Sequence, residues 1–142
     1  MILPRKIHRT VTYIPRAWHR RGFGVQSPYD YELVRDVLFE RLSYYAYEDQ
    51  NLRTRRQRLL YRLKLRFGDK LTCAADDADD IYERVASSYI DGDVLFVERI
   101  SGDNVKLWRK ILKDQRARVT YDLGSDGLVL FDSRRCKQNY LL

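Results

Sequence analysis

The sequence predicts an α/β fold in which an N-terminal helical cap, residues 1–67, precedes a small, mostly parallel sheet, residues 68–142, that ends in an antiparallel hairpin. Three observations carry that expectation. Apolar residues recur at helical spacing as far as Phe67, and after Gly68 short β-rich runs alternate with helical ones, as in βαβ construction. The last two β-rich runs flank the turn residues GSDG, which reads as a hairpin. At 142 residues with 44% hydrophobic content the chain suffices for one core and is short for two, so the two regions are expected to pack as one compact unit.

Residues 1–24 hold no sustained period and carry Pro4, Pro15, Gly22 and Gly24, which predicts an irregular arm with a helical turn near Trp18. Ser27 then offers an N-cap, Pro28 suits the first helical position, and Asp30 and Glu32 favour the positive end of the helix dipole. Tyr31, Val34, Val37, Leu38 and Leu42 form the apolar stripe of that helix. Residues 43–67 read as a second helix, with Leu52, Leu59, Leu60, Leu63 and Phe67 on one side and Arg55, Arg58, Arg62 and Arg66 beside it.

Beyond Gly68, KLTCAA reads as a short buried strand and DDADDIYERVASSYI as a helix with an acidic first turn and Ala78, Ile81, Tyr82, Val85 and Tyr89 inward. DVLFVE is a second strand, and the helix around DNVKLWRKILKD buries Val105, Trp108, Ile111 and Leu112. RARVTYDL and LVLFD are the arms of the hairpin.

The formal charge of +7 is uneven: residues 1–70 hold 16 Lys+Arg against 7 Asp+Glu, whereas residues 71–142 hold 11 against 13. A basic first half suits nucleic acid, with Arg20, Arg21, Arg55, Arg58, Arg62 and Arg66 on phosphates and Tyr44, Tyr45 and Tyr47 stacking on bases. A basic helix face packed against an acidic second half has the same composition. Cys73 and Cys136 are far apart and lack CxxC spacing, so neither a disulfide framework nor a zinc site is expected, and the thiols read as buried or idle. His8 and His19 have no clustered carboxylates or thiols, and no metal site is expected. No apolar run approaches the ~20 residues of a membrane helix. MILPRKIHR sets proline and charge where a signal peptide would be apolar, so a cytoplasmic protein is expected.

Several phrases resemble one bacterial branch of the class I S-adenosylmethionine-dependent methyltransferases, in which an RGxGxHSPF-like phrase and an aromatic patch precede a Rossmann-like domain. The matching residues are Arg21, Gly22, Gly24, Ser27, Pro28 and Tyr29, then Tyr44 to Tyr47 and Asn51 to Arg53. Towards the C-terminus Trp108, Tyr121, Asp122, Leu123, Gly127, Leu128, Phe131, Lys137 and Gln138 fit the family's GDxIxxDDI, Trp-helix and TIDLxxxGLxFF order. The resemblance covers about two thirds of the chain and implies a contracted Rossmann-like sheet, with the strands at Leu71 and Asp93 parallel and adjacent and the hairpin beyond the second of them.

The departures concern the cofactor. The family holds S-adenosylmethionine on a glycine-rich turn, where missing side chains let the backbone approach the ligand, and on an acidic residue that holds the ribose. Here LTCAADDADDIY has no glycine; Asp76, Asp77, Asp79 and Asp80 crowd the turn and suit a helix N-terminus. One helix separates the two strands where the family has several more strands, Glu98 and Arg99 replace its paired carboxylates, and Gln26 replaces its usual histidine. The reading favoured by these departures is a non-catalytic, methyltransferase-like interaction or regulatory module, without catalytic residues or cofactor, that pairs with itself or with a related full-length methyltransferase. The alternative is an active methyltransferase with a reduced pocket, its S-adenosylmethionine lying between Asp76, Asp77 and Glu98. A second alternative is the nucleic-acid-binding module above.

Overall fold

The computed structural model describes residues 27–40 and 44–142. Its framework is a five-stranded mixed sheet in the order β1-β2-β4-β3-β5, built from β1 Leu71–Ala74, β2 Asp93–Val97, β3 Val119–Asp122, β4 Gly127–Phe131 and β5 Gln138–Leu141. β1 lies parallel to β2, β4 is antiparallel to both β2 and β3, and β3 is parallel to β5. Among the described residues β4 alone therefore runs against the other strands. The expected hairpin is β3–β4, and it enters the sheet through β4, whose Gly127 pairs with Val97 of β2.

Consecutive residues of β2 face opposite sides of the sheet, yet Val94, Leu95, Phe96 and Val97 are all buried, so both faces must be covered. One face is covered by α1 Pro28–Leu33, the π-helical turn Val34–Leu38 that continues it, and α3 Arg55–Phe67. Leu33, Val34, Val37, Leu38, Leu59 and Leu63 pack there against Val94, Phe96, Tyr121 and Leu128. The other face carries α4 Ala78–Ser88 and α5 Val105–Lys113, whose Ala78, Tyr82, Leu107, Trp108 and Ile111 meet Leu95, Val97, Val129 and Phe131. The result is helix, sheet, helix in three layers.

The start of α1 follows the expected chemistry: Ser27 Oγ accepts from the Asp30 N–H at 3.4 Å, with Pro28 in the first turn. The single helix expected over 43–67 is instead two, α2 Tyr45–Asp49 and α3. Asn51 takes a left-handed backbone (φ 57°), and Thr54 begins α3 with a capping box: its hydroxyl accepts from the Gln57 N–H and the Gln57 side chain accepts from the Thr54 N–H, each at 3.1 Å. Such a reciprocal cap satisfies two otherwise unpaired donors, which favours a new helix start over continuation. The expected arm, residues 1–24, together with Gln26 and Leu42, lies outside the described residues.

A strand not expected from the sequence, β5, adds to β3: the Gln138 N–H donates to the Arg118 carbonyl at 2.8 Å. The Lys137 ammonium before it caps the end of α5, donating to the carbonyls of Ile111 (3.2 Å), Asp114 (2.9 Å) and Ala117. Burial lowers its pKa, and three carbonyl acceptors satisfy its three N–H donors. Among the described residues no helix is long and apolar enough to cross a membrane.

Candidate functional site

In open sheets with parallel strands, ligands bind in the crevice beyond the carboxyl ends of the strands. Here that place lies beyond Ala74 of β1 and Val97 of β2, between loop 75–77 and loop 98–104. The residues expected to hold a cofactor, Asp76, Asp77 and Glu98, stand on these two loops. The structure thus brings them to one end of the sheet, and it joins them to residues that the sequence reading did not single out.

Asn104 is the chief of these. It is buried, and its amide Nδ2 donates to the Ala75 carbonyl at 3.0 Å and the Glu98 carbonyl at 2.7 Å. One side chain thereby fastens the loop after β1 to the loop after β2. Arg99 makes a second fastening: its guanidinium donates to Asp76 Oδ1 at 2.5 Å and lies 3.6 Å from Asp103. The hydrogen bond with Asp76 raises the Arg99 pKa, so the cation is permanent. Arg99 adopts a left-handed backbone (φ 55°), uncommon for a residue with a Cβ, and its N–H donates to Asp126 Oδ1 at 3.1 Å.

Asp126 in turn receives two hydrogen bonds from the Arg56 guanidinium, at 2.8 and 3.1 Å, and Arg56 lies 3.8 Å from Glu98. The hydrogen bonding to Asp126, more than the nearby Glu98 charge, raises the Arg56 pKa. Arg56 sits on α3, Asp126 in the hairpin turn and Glu98 behind β2, so the α3 layer is tied to the sheet at this end. Asp77 occupies the N-cap position of α4 with its carbonyl accepting from the Ile81 N–H at 3.0 Å, and Asp79 and Asp80 are exposed in the first turn. That is the helix-start role open to an acidic run.

The arginines expected to bind nucleic acid divide. Arg62 is spent on the protein itself, donating to the carbonyls of Val37 (2.6 Å) and Leu38 (3.3 Å) and to the Tyr47 hydroxyl (3.1 Å). Arg58 donates to the Leu52 carbonyl at 3.0 Å and lies over the Tyr47 ring at 5.1 Å. Arg66 stands 5.9 Å from the Tyr29 ring centre, and Arg55 is exposed. Tyr44, Tyr47 and Tyr61 pack edge-on or tilted against one another, whereas Tyr45 is exposed. Arg20 and Arg21 lie outside the described residues.

Both cysteines are free and exposed, so of the expected buried or idle thiols neither is buried; partial burial still pushes the Cys73 thiol pKa up. Among the described residues no group of three or more His, Cys, Asp or Glu side chains could hold a metal ion. The pattern available in the sequence could not single out Asn104, because a buried amide has no periodic signature. Arg56 offered a weak signal, as a cation within the apolar flank of α3.

The clasp makes a prediction. Asn104→Ala leaves two part-buried carbonyls without their donor and is expected to cost about 1–3 kcal/mol. Urea denaturation beside the wild type measures it; a change within experimental error would show that the two loops hold their positions without Asn104. No protein-family model, no curated protein and no solved structure matches this chain.

Proposed function

We propose that this chain is a non-catalytic, methyltransferase-like protein that acts as an interaction or regulatory module. The observation that carries the reading is the closed state of the crevice. Where the resembled family admits an adenosyl cofactor over a glycine turn, Ala75, Asp76 and Asp77 present side chains, and the loop is bound across to Glu98 and Arg99 through Asn104 and the Asp76–Arg99 pair. A ligand entering there must displace the Asn104 amide and uncover the Ala75 and Glu98 carbonyls, which are costly to leave unpaired, whereas the exposed Asp76–Arg99 pair adds little. The parallel, adjacent strands β1 and β2 with the hairpin beyond them support descent from that family.

A pairing partner of this module is a second copy or a complete relative of the methyltransferase type. Calorimetric titration with S-adenosylmethionine, and separately with S-adenosylhomocysteine, tests the reading. The expected result is no saturable heat up to millimolar ligand from protein whose circular dichroism is that of a folded chain. Micromolar binding of either compound would overturn it in favour of an enzyme with a reduced pocket, in which Glu98 accepts from the ribose.

A further inference from the structure

β1 is an outer strand of the sheet among the described residues. Its Ala74 carbonyl accepts from the Glu98 N–H of the adjoining chain segment at 2.9 Å. In a parallel ladder successive residues turn their backbone groups to alternate sides, so Thr72 and Ala74 face β2 while Cys73 faces away. A trans peptide sets its C=O and N–H on opposite sides, so the Leu71 carbonyl and the Ala75 N–H also point away from β2. The remaining groups of these two residues are already used: the Leu71 N–H donates to the Gly68 carbonyl, and the Ala75 carbonyl accepts from Asn104.

The outer edge thus presents, in order, an acceptor on Leu71, a donor and an acceptor on Cys73, and a donor on Ala75. That order is self-complementary under one two-fold axis, the one through Cys73. Antiparallel pairing there joins each Cys73 N–H to the other copy's Cys73 carbonyl, and each Leu71 carbonyl to the other copy's Ala75 N–H. A shift of the axis to Thr72 would oppose Leu71 and Cys73, and would demand the Leu71 N–H that the turn at Gly68 already holds. Charge agrees with the first register, because it sets Lys70 opposite Asp76 twice, and Asp76, though paired with Arg99, is largely exposed to a second cation. Leu-Thr-Cys-Ala itself carries no charge or proline to block edge pairing.

From this we infer that β1 is a homodimerisation edge, on which a second copy of the chain adds its own β1 antiparallel with Cys73 on the two-fold axis. The inference rests on the interaction-module reading and names its partner. Directly opposed residues in a hydrogen-bonded antiparallel pair have Cα atoms about 5.5 Å apart, within reach of a short cross-linker.

The experiment uses the full chain carrying Cys136→Ser, so that Cys73 is the single thiol. A short bismaleimide is expected to give a covalent dimer joined at Cys73, and sedimentation velocity at micromolar protein is expected to show a reversible dimer. Cys73→Pro removes the central donor while leaving the Thr72 and Ala74 bonds to β2, and is expected to yield a monomer with an unchanged circular dichroism spectrum. On the intact strand, Lys70→Glu, which sets a carboxylate against each Asp76, is expected to weaken the dimer about three- to tenfold. A strict monomer, or a dimer indifferent to Lys70→Glu and not linked at Cys73, overturns the pairing. The module reading fails separately, through S-adenosylmethionine binding by the wild type in either oligomeric state.

Discussion

Asp30→Ala is expected to cost about 3–5 kcal/mol. The Asp30 carboxylate is completely buried between α1 and the sheet, and three donors converge on it. The Tyr121 hydroxyl of β3 donates to Oδ1 at 2.5 Å; the Tyr140 hydroxyl of β5 and the Arg135 guanidinium donate to Oδ2 at 2.8 and 2.5 Å. Burial pushes the Tyr121 pKa far up and raises that of Tyr140 as well, so both are donors at any ordinary pH. Burial, the largest single influence, works to lower the Arg135 pKa, but the hydrogen bond and charge attraction to Asp30, with the two tyrosines, together leave it above its usual value. Removing the carboxylate would leave two phenols and one largely buried cation without their acceptor, which is far worse than never having built the pair. Guanidinium denaturation at neutral pH measures the loss. Asp30→Asn, which keeps one carbonyl acceptor, is expected to fall between wild type and alanine. A loss below about 1 kcal/mol for Asp30→Ala would mean that water replaces the carboxylate.

Asp30 also marks the boundary of what the sequence could tell. The acidic first turn after Ser27-Pro28 was legible, because capping and dipole chemistry are local. The partners of Asp30 lie 91, 105 and 110 residues along the chain, and no local rule connects them. The fold class was legible for the same reason: the short continuous apolar runs DVLFV and LVLF and the 3.6-residue period of the helices are short-range signals. β5 was not, since in QNYL Tyr140 alone is buried and no alternation announces a strand. The split between α2 and α3 had a readable signal in Thr54-x-x-Gln57, which the continuing apolar period concealed. As for the candidate site, the sequence brought forward its carboxylates, Asp76, Asp77 and Glu98. It could not show that Asn104, Arg99 and Arg56 bind those loops together, because each contact crosses between elements. The uneven charge has its physical counterpart in Arg56, a cation of the basic half set against Asp126 and Glu98 of the acidic half.

Gly127→Ala is the second large effect expected, at about 1–3 kcal/mol from overpacking alone. Gly127 begins β4 beside Val97, and its backbone is not in the left-handed region, so conformational freedom does not explain the glycine. The explanation is a neighbour. A Cβ at Gly127 would lie 2.5 Å from both Cη2 and Cζ3 of Trp108 and 2.9 Å from Cζ2, closer than real carbon atoms approach. Trp108 is itself buried on α5, packed with Leu107 and Ile111 against Val97 and Val129, so the ring cannot retreat without moving the helix. Glycine and tryptophan therefore form one packing unit: the absent side chain is the space into which the indole fits. Thermal denaturation of Gly127→Ala, Trp108→Phe and the double variant tests this directly. Each single change destabilises, one by a clash and the other by a void, and the double is expected to recover about 1 kcal/mol relative to their sum, since a smaller ring makes room for the methyl. Strict additivity would mean that α5 shifts to admit the methyl group. Such a shift would carry Asn104, the residue before α5, away from Ala75 and Glu98, and so the seal on the crevice depends on a glycine 23 residues further along the chain.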